Sequence, residues 1–166
     1  MDIGIALVAI AEVMLGLAGF SGIVMALTFD QGRWHPWDAW RTLMLLSTTL
    51  GAIVLALLPF GFSLLGLAES AIWRLSSGIM AAYPLILAPA VYRSFQHLEP
   101  ASHPYYRPIA VFSLTGIGLN IVAQLLNTLS FIFPGVASVF FFGLLWYLIY
   151  SAFLFAITLF VRPRKQ

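Results

Sequence analysis

The chain has no cysteine. That excludes structural disulfides, thiol redox relays, Fe–S clusters and thiolate zinc sites. Its one lysine, Lys165, stands beside the last residue, so no lysine lies within a helix to carry a retinal-type Schiff base. Charge is scarce as well. Eight Lys and Arg and six Asp and Glu make up 8% of the residues, against roughly 25% in soluble domains. So few charged side chains cannot clothe a soluble protein of 166 residues. The net charge of +2 is scattered over short segments, with no basic stripe to follow phosphates, so nucleic acid is not expected as a partner. Also missing are a P-loop, a Rossmann fingerprint, an H-E-x-x-H and a G-x-S-x-G motif, and the arginine repeat of a voltage sensor.

What the chain has in excess is apolar surface. Hydrophobic residues are 61% of the total, and a bilayer core needs about 20 apolar residues per helical crossing. Five stretches qualify, at about 3–28, 42–62, 67–92, 109–133 and 136–161. Backbone groups in hydrocarbon must be satisfied internally, which leaves helices or a closed barrel. The alternation a barrel requires is absent. The first stretch is too long for the core of a signal peptide and reads as a retained helix. The predicted fold is therefore an all-α integral membrane protein, one polytopic domain forming a compact bundle of about five transmembrane helices. No internal repeat or second domain is visible.

Turn chemistry places the connections. The segment from Pro59-Phe60-Gly61 to Gly66 predicts a tight hairpin between the second and third spans, and Pro134-Gly135 one between the fourth and fifth. The longer connections are 29–41 and 93–108. Arg33, Arg41, Arg93, Arg107, Arg162, Arg164 and Lys165 then share one side, and both hairpins lack Lys and Arg. By the positive-inside rule this predicts N-out, C-in, with two cytoplasmic loops and short outer hairpins. A bacterial plasma membrane is the default location.

Ionisable side chains within spans cost roughly 2.5–3.5 kcal/mol each on insertion scales and point to function by default. Two stand out, Glu12 and Arg74, counted at similar depths below the outer side. They are predicted to pair inside the bundle, with Gly16 and Gly19 on the Glu12 face allowing close helix approach. Asn120, Gln124 and Asn127 follow at i, i+4 and i+7, one polar face of the fourth span, which Gly116 extends. Ser76, Ser77, Tyr83, Tyr147 and Ser151 offer further hydroxyls. This cluster is either a structural polar core or the lining of a route for a solute, proton or lipid headgroup. Glu69 reads as an interfacial residue at the outer mouth. Pro84 and Pro89 should interrupt the hydrogen-bond ladder of the third span.

Trp34, Trp37 and Trp40 precede the second span, where amphipathic rings anchor at the headgroup level. His35, His97 and His103 fall in the two long loops near Asp30, Asp38 and Glu99. Their composition would permit a metal site, but the spacing matches none, so no metal and no cofactor is assigned. With no histidine in a span, a haem held within the bilayer lacks axial ligands.

Three function classes follow. The leading one is a non-enzymatic accessory, assembly or scaffold component acting through helix packing, with lipid, other membrane subunits or a second copy as partners. The next is a transporter or channel subunit using the polar cluster. The third is a membrane-embedded enzyme acting on a lipid or amphiphile.

Overall fold

The structure is a computed structural model that describes residues 2–29, 36–96, 106–130, 132 and 135–160. Five helices run in the order α1 (Ile3–Phe29), α2 (Pro36–Leu64), α3 (Glu69–Gln96), α4 (Tyr106–Leu129) and α5 (Ala137–Phe160), and the described residues contain no strand. All five are long and apolar enough to cross a membrane. Large apolar side chains such as Ile5, Leu64, Ile86 and Leu114 are at least 70% exposed, a surface suited to hydrocarbon rather than water. The five helices thus fit a multi-pass membrane protein.

Each helix has a local reason for its ends. Asp2 precedes α1, and its carboxylate accepts the Gly4 N–H at 2.8 Å, satisfying one of the first-turn donors. Pro36 opens α2, a position where the missing N–H costs nothing. α2 therefore begins six residues before the expected boundary. It also ends later, because it runs straight through Pro59 to Leu64. The chain turns at the far end of the expected hairpin segment 59–66 and not at its Pro59-Phe60-Gly61 start. The turn falls on Gly66, which has φ +72°. There the Leu67 N–H reaches the Phe62 carbonyl at 3.4 Å and the Gly66 N–H reaches Ser63 at 3.0 Å, the paired bonds of a Schellman stop. α3 carries Glu69 in its first turn and Arg93 in its last, both favourable to the helix dipole. It is helical through Pro84 and Pro89. α4 stops at Leu129, short of the expected 133, and Ser130 follows with φ +56°.

The N-terminus of α1, the α2–α3 turn and the α4–α5 connection share one end of the bundle, here the hairpin end; the opposite one is the loop end. α5 packs on all four other helices, α1 on α2 and α5, and α4 on α3 and α5. The main core joins Leu7, Ile10 and Met14 of α1 to Leu55 of α2, Trp73 of α3 and Phe140 of α5. A smaller cluster near the loop end holds Met44, Leu45, Tyr150 and Leu154. α4 contributes to neither set of buried apolar residues.

Candidate functional site: the polar seam of α4

Among the described side chains of α4, the buried residues are Gly116, Asn120, Gln124 and Asn127. The inward face of this helix is polar along its length, where the other helices bury apolar side chains. Gln124 and Asn127 are fully buried. Such groups in an apolar interior need partners, and the structure supplies them from α3 and α5.

Asn127 makes the most complete set. Its Nδ2 donates to Ser77 Oγ on α3 at 2.8 Å and to the Val136 carbonyl at 3.1 Å. Its Oδ1 accepts the Val136 N–H at 2.8 Å. Val136 immediately precedes α5, so one amide side chain satisfies both main-chain groups of the residue that starts the next helix. Gln124 lies one turn further from the hairpin end. Its Nε2 donates to Val139 O of α5 at 2.9 Å and to Asn120 Oδ1 at 3.2 Å. Gly143 of α5 makes room for this contact: a Cβ there would meet Asn120 Oδ1 at 2.8 Å and collide with Gln124 and Met80.

Arg74 belongs to the same seam. Its Nε donates to the Thr128 carbonyl at 3.0 Å, while the Thr128 hydroxyl donates to Arg74 O at 3.2 Å and to Gln124 O at 2.8 Å. Thr128 is the penultimate residue of α4, so the guanidinium sits against the carbonyl end of that helix, where a cation is favourable. Gly135, with φ +71°, packs against the Arg74 stem; a Cβ would stand 2.6 Å from Ser70 O and 2.8 Å from Arg74 Cγ.

The expected Glu12–Arg74 pair is not formed. Glu12 is exposed on α1, and the face it shares with Gly16 and Gly19 points away from the bundle, with no atom within 4 Å of a Cβ built on either glycine. α1 instead buries Leu7, Ile10, Met14, Ala18 and Ser21. The buried set holds both large and small side chains, while Val13, Leu15 and Phe20 stay exposed, so neither polarity nor size marks the inward face of this helix.

Two of the tryptophans read as headgroup anchors pack against the bundle. Trp37 is 4% exposed, and Trp40 is half-buried against Met44, Leu45, Tyr150 and Leu154. Their rings meet edge to face at 5.9 Å. Trp34 and the histidines His35, His97 and His103 lie outside the described residues. Arg41, read as a loop residue, is buried in α2.

Other ties had weaker signals in the chain. Ser151 of α5 donates to Thr48 of α2 at 3.0 Å. Tyr83 of α3 donates to Ser47 O of α2 at 2.6 Å, its ring lying over Gly51 where a Cβ would collide. Gly116 likewise receives the indole of Trp146. A groove of about 360 Å³ runs between α4 and α5, bordered by Gly116, Asn120, Gln124, Gly143 and Trp146. Two buried atoms beside it, Gln124 Oε1 and Trp146 Nε1, have no hydrogen-bond partner, and Ser76 Oγ is a third such atom on α3.

The chemistry of the seam is that of amides, hydroxyls and one guanidinium. It brings together no acid and base of matched reach. Among the described residues no group of three or more His, Asp or Glu is placed to hold a metal ion. No protein-family model matches the chain, and no curated protein or solved structure is significantly similar to it.

Proposed function

We propose that this protein is a non-enzymatic multi-pass membrane component, an accessory, assembly or scaffold subunit that acts through helix packing. One observation carries the reading. Asn127, Gln124, Thr128 and Arg74 are engaged in bonds from helix to helix, as expected of groups that set the geometry of a bundle rather than solvate a passing solute. Interhelical bonds of this kind average only about 0.6 kcal/mol in a membrane, so their yield is specificity of packing. The topology that goes with this reading is N-out, C-in, on the distribution of Arg and Lys, with a bacterial plasma membrane as the default location.

Purification from native membranes in mild detergent, with mass spectrometry of co-purifying proteins and small molecules, tests the proposal. A stoichiometric membrane protein partner, or a second copy of this chain, is expected, with no solute flux in proteoliposomes. Reporter fusions at Met1 and Gln166 are expected to lie on opposite sides; finding both in one compartment would falsify the five-span topology.

A second reading rests on the groove between α4 and α5. Gln124 Oε1 and Trp146 Nε1, unpartnered along an otherwise apolar cleft, are what a small-solute or ion route would use. Solute uptake that Gln124→Leu abolishes without loss of membrane protein would favour it over the scaffold.

A further inference from the structure

We propose that the outward face of α1 docks on a second copy of this chain, with the partner's Arg74 seated between Asp2 and Glu12. The proposal deepens the packing function above and rests on the chain crossing a membrane.

The argument starts from two charges that do not neutralise each other within one chain. Glu12 and Arg74 are both exposed. Glu12 lies on α1, which packs on α2 and α5, whereas Arg74 lies on the α4 side of α3. Among the described residues the one bond from the Arg74 side chain is Nε to Thr128, and the side chain is exposed. The end of α4 engages only the Nε of Arg74, the exposed Glu12 carboxylate meets no counter-ion among the described residues, and in hydrocarbon each charge suits the other.

Depth and shape agree with that pairing. Asp2, Glu12 and Arg74 all belong to the hairpin end. Glu12 is nine residues into α1, about 13 Å along it, and Arg74 five residues into α3, about 7 Å along it. Asp2 marks the start of α1. The level of Arg74 therefore falls between the two carboxylates. Between them the surface is concave: an open groove of about 550 Å³ runs past Gly4, Val8 and Glu12 with Phe60 at its edge. Two copies in one membrane share orientation, so the levels match without adjustment. Beyond the groove the same face carries Gly16 and Gly19, both exposed with open space around them, and a neighbouring helix can come close there.

Cross-linking in native membranes tests this directly, because the chain has no thiol of its own. A copy carrying Glu12→Cys and a differently tagged copy carrying Arg74→Cys, co-expressed and treated with a short bifunctional thiol reagent, should give a cross-linked heterodimer. Each variant alone should give none. Two wild-type copies with different tags should co-purify, and Glu12→Gln should reduce that co-purification to background while membrane levels stay at wild type. Arg74→Lys, which keeps the charge but loses the Nε bond, should retain co-purification even if Arg74→Gln fails to accumulate. Cross-linking of Glu12→Cys to itself would replace the pairing with a symmetric α1–α1 contact and overturn it. So would undiminished co-purification of Glu12→Gln, or recovery of a different membrane protein in place of the second copy. None of those outcomes touches the membrane-component reading, which fails instead on solute flux or on the reporter fusions.

Discussion

Asn127 connects three helices through one planar amide. Removing it strands the Val136 N–H and carbonyl together with Ser77 Oγ in an apolar interior. Asn127→Ala should therefore destabilise the folded chain by about 1–3 kcal/mol, read as a lower midpoint in thermal or denaturant unfolding in detergent. Glu12 is the opposite case. It makes no bond among the described residues, so Glu12→Ala should leave the unfolding midpoint of the dissociated chain within error of wild type. The sequence alone suggested the reverse, since a charge in a span invites an internal counter-ion. The glycines divide in the same way. Gly143→Ala pushes a methyl group into Asn120, Gln124 and Met80 and should cost about 1–3 kcal/mol as overpacking. Gly16→Ala meets open space within a helix and should raise the stability of the single chain by up to about 1 kcal/mol.

At the scale of the helices, what was legible depended on contrast. Asn120, Gln124 and Asn127 stand out as polar letters in an apolar run, and their spacing put them on one buried face, as observed. α1 offers no such contrast on its inward side: Leu7, Ile10 and Met14 differ from their outward-facing neighbours in contacts, not in polarity, and a periodicity of polar and apolar residues does not record contacts. The partner of Arg74 was hidden for another reason. It is the carbonyl of Thr128, a main-chain group that every residue type carries. Helix ends show the same limit. The hairpin expected over 59–66 starts inside α2, which passes through Pro59, and the stop belongs to Gly66 with its two reverse bonds. Gly66→Ala should cost about 1–2 kcal/mol, the penalty for a side chain in the left-handed region, measurable as earlier thermal unfolding. Arg74→Ala should loosen the end of α4, seen as faster amide exchange near Thr128.

Across the whole molecule, the arrangement separates two kinds of cohesion. α1, α2, α3 and α5 share an apolar core, whereas α4 joins through amides and hydroxyls towards the hairpin end and through Phe112 and Gly116 against Trp146 and Phe153 towards the loop end. In hydrocarbon, apolar helices gain little by leaving lipid for one another, so tight fit and hydrogen bonds decide which neighbours they keep. α4 is the helix whose place depends most on directional bonds, so replacing Asn120, Gln124 and Asn127 together by leucine should release it selectively. Cross-links from α4 to α5 would then be lost while those between α1 and α2 persist.

The reciprocal bond between Asn127 and Val136 also bears on how the chain is made. Once that side chain has closed on the residue ahead of α5, swinging the last helix outward would abandon three polar atoms to lipid. The final two crossings should accordingly leave the translocation machinery as a joined pair. A polypeptide halted just after Phe160 should already show α4 and α5 side by side, and Asn127→Leu should let them drift apart.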